Sequence, residues 1–173
     1  VGIVGHRPNR LRREDLASLE TRLGAVLGSV KKLVEEFGAS HPGLFADEPA
    51  CLRAISPLAE GTDRYFARQA LRLGFELCCT FPFHKLEFEN DFKPGHSAEP
   101  GADSVAEFNA ILAEAKKNNG LVTFKLDGSR ANSSQAYEAA GKVVLNQSDL
   151  LIAVWDGEGG NEHGGTYETL LEA

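Results

Sequence analysis

Ser148-Asp-Leu-Leu-Ile-Ala-Val-Trp-Asp-Gly157 is the stretch on which the fold turns. Leu150 to Trp155 is a nearly unbroken apolar run, the pattern of a parallel strand covered on both faces. Asp156-Gly157 then signals a turn. Five glycines fall between Gly157 and Gly165, both included, and Thr166 opens a segment of helical character over Tyr167–Glu172. A strand, a glycine-rich turn and a helix start present bare backbone N–H groups at the positive end of a helix dipole, a natural seat for a phosphate.

Working outward from that stretch, the same unit recurs. Val1–Val4 is a short strand running into Gly5-His6-Arg7-Pro8, a glycine-led turn that is not a GxGxxG dinucleotide fingerprint. Glu14–Phe37 is a long amphipathic helix, with Leu16, Leu19, Leu23, Val26, Leu27, Val30, Leu33 and Val34 at three- and four-residue steps and Gly38 to end it. Ser40–Pro49 is a loop. Cys51–Ile55 is the second strand. Its turn, Ser56 to Asp63, precedes a helix over Arg64–Leu73, which Thr62 or Asp63 caps and Gly74 closes. Phe75–Phe81 is the third strand, ended by Pro82. Asp103 or Ser104 caps a helix to about Asn118, with Val105, Phe108, Ile111, Leu112 and Ala115 inward. Leu121–Leu126 is the fourth strand, Asp127–Asn132 a loop, and Ser133 or Ser134 starts a helix to about Gln147. Strands and helices alternate, so the expected fold class is α/β: a single doubly wound, three-layer domain over residues 1–173 with a mainly parallel, Rossmann-like sheet. His84–Ala102 breaks the alternation. It is polar, carries Glu87, Glu89 and Asp91, and reads either as a lid at the carboxyl edge of the sheet or as a mobile acidic insertion.

Composition narrows the function classes. The net charge of −7, with a pI near 5.3, argues against a protein that grips a nucleic acid backbone, which needs clustered basic charge. No apolar run approaches the roughly 18 residues of a membrane span, and no signal-peptide pattern is visible. Cys51, Cys78 and Cys79 lack any zinc-ligand spacing and read as small buried hydrophobes in a reducing, cytoplasmic compartment. The histidines His41, His84, His96 and His163 have no ligand-type partner at i,i+4, so no metal is expected. The chain starts inside a strand, ends inside a helix and contains no methionine, so it is expected to be part of something longer.

Three glycine-bearing turns follow three strands: Gly5-His6-Arg7, Glu60-Gly61-Thr62-Asp63, and Asp156 through Thr166. In a parallel sheet all three emerge at the carboxyl edge, where ligands bind at the reversal of strand order. Arg7 is either a bidentate phosphate fork or a surface arginine paired with an acid. His6 hydrogen-bonds a base or ribose, or braces the loop. Asp63 accepts from a ribose hydroxyl or caps its helix. Gly164 and Gly165 allow close backbone approach, and Thr166 caps the last helix and touches a phosphate oxygen. Glu168 either faces the ligand as acceptor or general acid/base, or is a first-turn glutamate favoured by the helix dipole. Trp155 stacks on a base or packs under the loop, and Arg130 reaches a phosphate or sits in a solvated loop. The ligand-binding set is therefore Gly5, His6, Arg7, Gly61, Thr62, Asp63, Asp156, Gly157, Gly164, Gly165 and Thr166, with Glu168 as the catalytic candidate.

Val1-Gly-Ile-Val-Gly-His-Arg7, Ala59-Glu-Gly-Thr-Asp63, Ser148 to Gly157 and Gly164-Gly165-Thr166 together resemble the SLOG superfamily of Rossmann-like domains. That group includes the LOG-type phosphoribohydrolases and the DprA-like DNA-processing proteins. The resemblance implies a nucleotide or nucleotide-derived ligand at the carboxyl edge. The LOG pattern Pro-Gly-Gly-x-Gly-Thr-x-x-Glu is altered here. The leading Pro-Gly-Gly is missing, and Glu168 follows Thr166 by two places instead of three, a turn of about 100° on a helix.

Three functions are expected from these readings. The first is a sensor or ligand-binding module for a nucleotide, with a fused effector domain or a homo-oligomer as its setting. The second is LOG-like cleavage of the N-glycosidic bond of a nucleoside monophosphate. The third is a non-catalytic oligomerisation domain. A nucleotide ligand, no further cofactor, no nucleic acid and no membrane complete the expectations.

Overall fold

The computed structural model describes residues 1–44, 48, 50–98, 104–118, 120–158 and 165–173. The strands are β1 (Gly2–Gly5), β2 (Arg53–Ser56), β3 (Glu76–Phe81), β4 (Leu121–Lys125) and β5 (Leu151–Val154). The helices are α1 (Leu16–Ser40), α2 (Thr62–Arg72), α3 (Lys85–Phe88), α4 (Ser104–Lys117), α5 (Ser133–Asn146) and α6 (Thr166–Glu172). The strands form one sheet in the order β4-β3-β2-β1-β5, and every pairing is parallel. This is the expected α/β, Rossmann-like arrangement.

From β1 to β4 the chain steps in one direction. It then returns past β1 to lay down β5. Right-handed crossovers therefore place α1, α2 and α4 on one face and α5 with α6 on the other. The packing agrees, since α2 lies against α1 and α4, and α5 lies against α6. The direction reverses between β1 and β5, so the segments that leave their carboxyl ends run to opposite faces of the sheet and open a crevice.

The main core lies under α2 and α4. Leu27, Leu58, Phe66, Leu77, Phe83 and Phe92 are fully excluded from solvent. Phe88 and Phe92 meet edge to face at 4.8 Å, and Phe92 lies 5.0 Å from Phe108. Such ring pairs contribute about 0.5–1.5 kcal/mol each beyond their buried area.

Several expectations are corrected by this packing. β5 is not covered on both faces: Ala153 is exposed, and Leu150 and Trp155 keep about two fifths of their surface. It pairs only with β1 among the described residues and so forms one edge of the sheet. Cys51 is exposed, because it precedes β2, whereas Cys78 and Cys79 are buried within β3. α1 runs past Gly38 to Ser40, and its second half stands clear of the core, with Leu33 64% exposed. The start of the 84–102 segment is neither a bare loop nor simply acidic. α3 and a following 3-10 turn bury Phe88 and Phe92, so the two rings anchor it.

The same segment is tied down by charge. Glu60, 3% exposed, accepts from Ser97 Oγ (2.6 Å), Ala98 N (2.7 Å) and Ser104 Oγ. Arg64, 1% exposed, donates to Ser104 O (2.8 Å), Ser104 Oγ (2.7 Å) and Glu107 (2.8 Å). Its guanidinium stacks 4.5 Å from the Phe92 ring centroid. Arg130 holds the other side. It pairs with Asp91 (2.6 Å), donates to Glu87 O (2.6 Å) and lies over Phe83. The phosphate role expected as one option for Arg130 is thus replaced by an internal clamp, and Tyr137 completes it by donating to Asp91 (2.5 Å). Among the described residues no helix is long and apolar enough to cross a membrane.

Candidate functional site

The end of β1 and the start of α2 are built to touch. Gly61 has φ +84°, and a Cβ there would lie 2.9 Å from His6 O and from Pro8 Cδ. A Cβ on Gly5 would lie 2.5 Å from Thr62 Cγ2. Only glycine fits either position, and only glycine adopts the Gly61 conformation without strain. The gap is closed by Thr62, whose Oγ1 and N both donate to His6 O, at 3.0 and 3.3 Å. Gly61 and Thr62 therefore face the protein's own backbone and lie behind the crevice. Within the same turn Leu58, fully buried, has φ +62°. A buried branched residue in the left-handed region marks a turn held by its surroundings.

His6 is 6% exposed and braces β1 to β5. Its Nε2 lies 3.0 Å from Asp156 Oδ1 and 3.2 Å from Asp156 N. Protonated, Nε2 donates to the carboxylate; unprotonated, it accepts from the amide. Arg10 binds the other carboxylate oxygen at 2.5 Å. Desolvation would raise the Asp156 pKa, but the Glu158 N–H, His6 and Arg10 outweigh it and bring it down to about 2. Gly157 follows with φ +88°. Trp155 packs rather than standing free, stacked on Tyr167 with ring centroids 5.9 Å apart and donating to Glu158 O.

Above this bracing a cleft of about 700 Å³ opens at the carboxyl edge, in the size range of small-molecule sites. One wall is the β1 loop, with Gly5, His6, Arg7, Asn9 and Arg10. Asp63 contributes from α2, and Gly165, Thr166 and Tyr167 from α6. Ala140 and Val144 of α5, together with Pro82, give it an apolar side. Gly165 occupies the N-cap position of α6, so Thr166 is the first helical residue and not the cap. Gly164 and His163 lie outside the described residues. Glu168 sits in the first turn of α6 but does not line the cleft.

Two groups stand out in the cleft. The Arg7 guanidinium makes no hydrogen bond or ion pair among the described residues; its nearest described ring is Tyr137, 5.9 Å away. Asp63 is 5% exposed, and its Oδ2 accepts from Ala59 N at 3.1 Å. Burial pushes its pKa up to about 7, against the opposing pull of the Ala59 N–H, the Ser56 hydroxyl and the charges of Arg7 and Arg64. Arg7 and Asp63 thus feel one another's charge without closing to the 4.0 Å of an ion pair.

The structure therefore brings Gly5, His6, Arg7, Asp63, Gly165 and Thr166 to one cleft, and sets Gly61, Thr62, Asp156 and Gly157 as its frame. Sequence reasoning missed Asn9, Arg10, Tyr137 and His96, which also line it. Arg10 had a signal, three residues beyond Arg7 in a basic run. Tyr137 and His96 had none, because nothing local says which neighbour a helix face or loop meets. Among the described residues no three His, Cys, Asp or Glu side chains gather as metal ligands. No family model, curated protein or solved structure matches the chain.

Proposed function

We propose that the chain is a SLOG-type nucleotide-binding module whose ligand lies in the cleft at the β1–β5 switch point, with its phosphate on Arg7. The observation that carries this reading is the Arg7 guanidinium, held in the cleft with no hydrogen-bonding or ionic partner among the described residues. A folded acidic protein of net charge −7 has many carboxylates to offer an arginine. Leaving one unpaired in a concave site suits an anionic ligand with planar, bidentate acceptor geometry. The apolar side at Ala140, Val144 and Pro82 suits a base.

The test is a thermal-shift panel of nucleoside mono-, di- and triphosphates at neutral pH. Ligand present at about 100 times its Kd stabilises the folded state by about 2.7 kcal/mol, so a true ligand raises Tm by several degrees. Arg7→Ala abolishes that rise. A panel with no shift at millimolar ligand overturns the reading and favours an oligomerisation role.

Phosphoribohydrolase activity is the second reading, favoured by Asp63, the one buried carboxyl in the cleft among the described residues. Free base released from nucleoside monophosphates, and lost in Asp63→Asn but kept in Glu168→Gln, would establish it.

A further inference from the structure

Resting on that nucleotide reading, we propose that Asp63 is the sugar-recognising residue of the cleft: its carboxyl receives hydrogen bonds from the ribose hydroxyls of the ligand whose phosphate Arg7 holds, so the site selects ribonucleotides over deoxyribonucleotides.

The geometry leads there in three steps. Asp63 is nine-tenths buried, yet it lines the cleft, so the solvent-poor space in front of it is the ligand's space. Its carboxyl is oriented from behind by Ala59 N on Oδ2, and the Ser56 hydroxyl, whose influence opposes the rise of its pKa, accepts from Leu58 N at 3.0 Å. The Leu58 backbone, at φ +62°, is part of the cost of that support. A carboxyl acting only as a helix cap would bond N–H groups of its own first turn; this one bonds backward into the loop. Second, Arg7 lies within electrostatic range of Asp63, and the two do not pair. The Pro8 turn and the Thr62–His6 lock fix the two backbones that carry them. The space between cation and carboxyl is the position of a group that is anionic at one end and hydrogen-bond-donating at the other.

Third, the donor's identity follows from the order of groups in a nucleotide. The 5′-phosphate and the sugar hydroxyls share one small ring system, whereas the base amines extend from its far side. The apolar surface formed by Ala140, Val144 and Pro82 is the place left for the base. A buried carboxyl that loses a hydroxyl donor is left unsatisfied, and that asymmetry is what makes such a site reject a deoxy analogue.

The experiment is isothermal titration of the 173-residue chain with the tightest ribonucleotide of the panel, its 2′-deoxy and 3′-deoxy forms, and ribose 5-phosphate. The expected result is a loss of about tenfold in affinity for at least one deoxy form, the loss a hydrogen bond to a charged group brings. In Asp63→Asn and Asp63→Ser, ribo and deoxy forms are expected to bind within about twofold of one another, and ribose 5-phosphate to weaken with them. Arg7→Ala weakens every phosphorylated ligand alike. Ribo and deoxy forms bound equally by the wild type overturn the inference and leave the nucleotide reading intact. An Asp63 effect on nucleotides but not on ribose 5-phosphate moves the contact to the base and also overturns it. No binding by any of these ligands overturns both. Circular dichroism on each variant separates a lost contact from a lost fold.

Discussion

Two arginines that flank the same turn have opposite fates. Arg64 serves the fold: it is 1% exposed, stacked on Phe92, and bonded to Ser104 and Glu107. The Arg7 guanidinium is bonded to nothing among the described residues and opens on a cleft. The acids divide in the same way. Glu60 is surrounded by three donors that tie down the segment beyond α3, whereas Asp63 is held from behind and faces space. A buried charge bonded on several sides by its own fold explains itself by structure, even though one Arg64 nitrogen, Nη2, is left without a partner. One that is oriented but left incomplete calls for a partner from outside.

Breaking the internally bonded half should cost the most. Arg64→Ala strips Ser104 and Glu107 of their donor and leaves a void beside Phe92. A loss of about 3 kcal/mol is expected, seen as a lower urea midpoint with an unchanged slope. An unchanged midpoint would mean that Arg64 is no more structural than Arg7.

Asp63 should respond in the other direction, and only above its ordinary pKa. Its folded pKa of about 7 lies above the ordinary value of 3.8. The folded state therefore binds the proton more tightly than the unfolded state, and this contribution to stability is present below about pH 4 and lost as pH rises through 7. Asp63→Asn removes that loss. Relative to wild type, the variant's stability should rise by about 2 kcal/mol between about pH 5 and about pH 8, read from Tm across the pH series. A gain independent of pH would show that the buried carboxyl is not the titrating group.

The smallest effect on the empty protein belongs to Arg7. Arg7→Ala should change stability by less than about 0.5 kcal/mol, because no side-chain hydrogen bond or ion pair of the described structure is lost. A Tm drop comparable to that of Arg64→Ala would erase the contrast between the two sites.

Much of this was legible in the sequence, and the parts that were not share a cause. The alternation of strands and helices, the turn after each strand and the convergence of Gly5, Arg7, Asp63 and Gly165 on one edge all follow from local pattern plus the handedness of crossovers. The strand order was not legible. Leu150 to Trp155 is apolar enough for a central strand, and only the return of the chain past β1 makes it an edge. Phe88 and Phe92 were hidden because two rings among glutamates and aspartates look like a polar loop until the four-residue spacing is seen to bury both on one side. Arg130 read as a phosphate ligand or a solvated-loop residue, and not as a clamp, because Asp91, its partner, lies far back in the chain, before α4 and β4. The glycines at 5 and 61 were recognised as needed, but their purpose differs: the room they leave is filled by Thr62 and His6 instead of by a ligand.

The Thr62–His6 lock also sets when in folding the site comes into being. It joins residues 56 apart, and the His6–Asp156 contact joins residues 150 apart. Loop closures of that length carry their entropy cost before any contact rewards them, and parallel sheets form their pairings late for the same reason. No helix or single strand of this chain holds the cleft on its own. The cleft is a property of the completed sheet, and a nascent chain has nothing to offer a ligand until β5 has come back to lie beside β1.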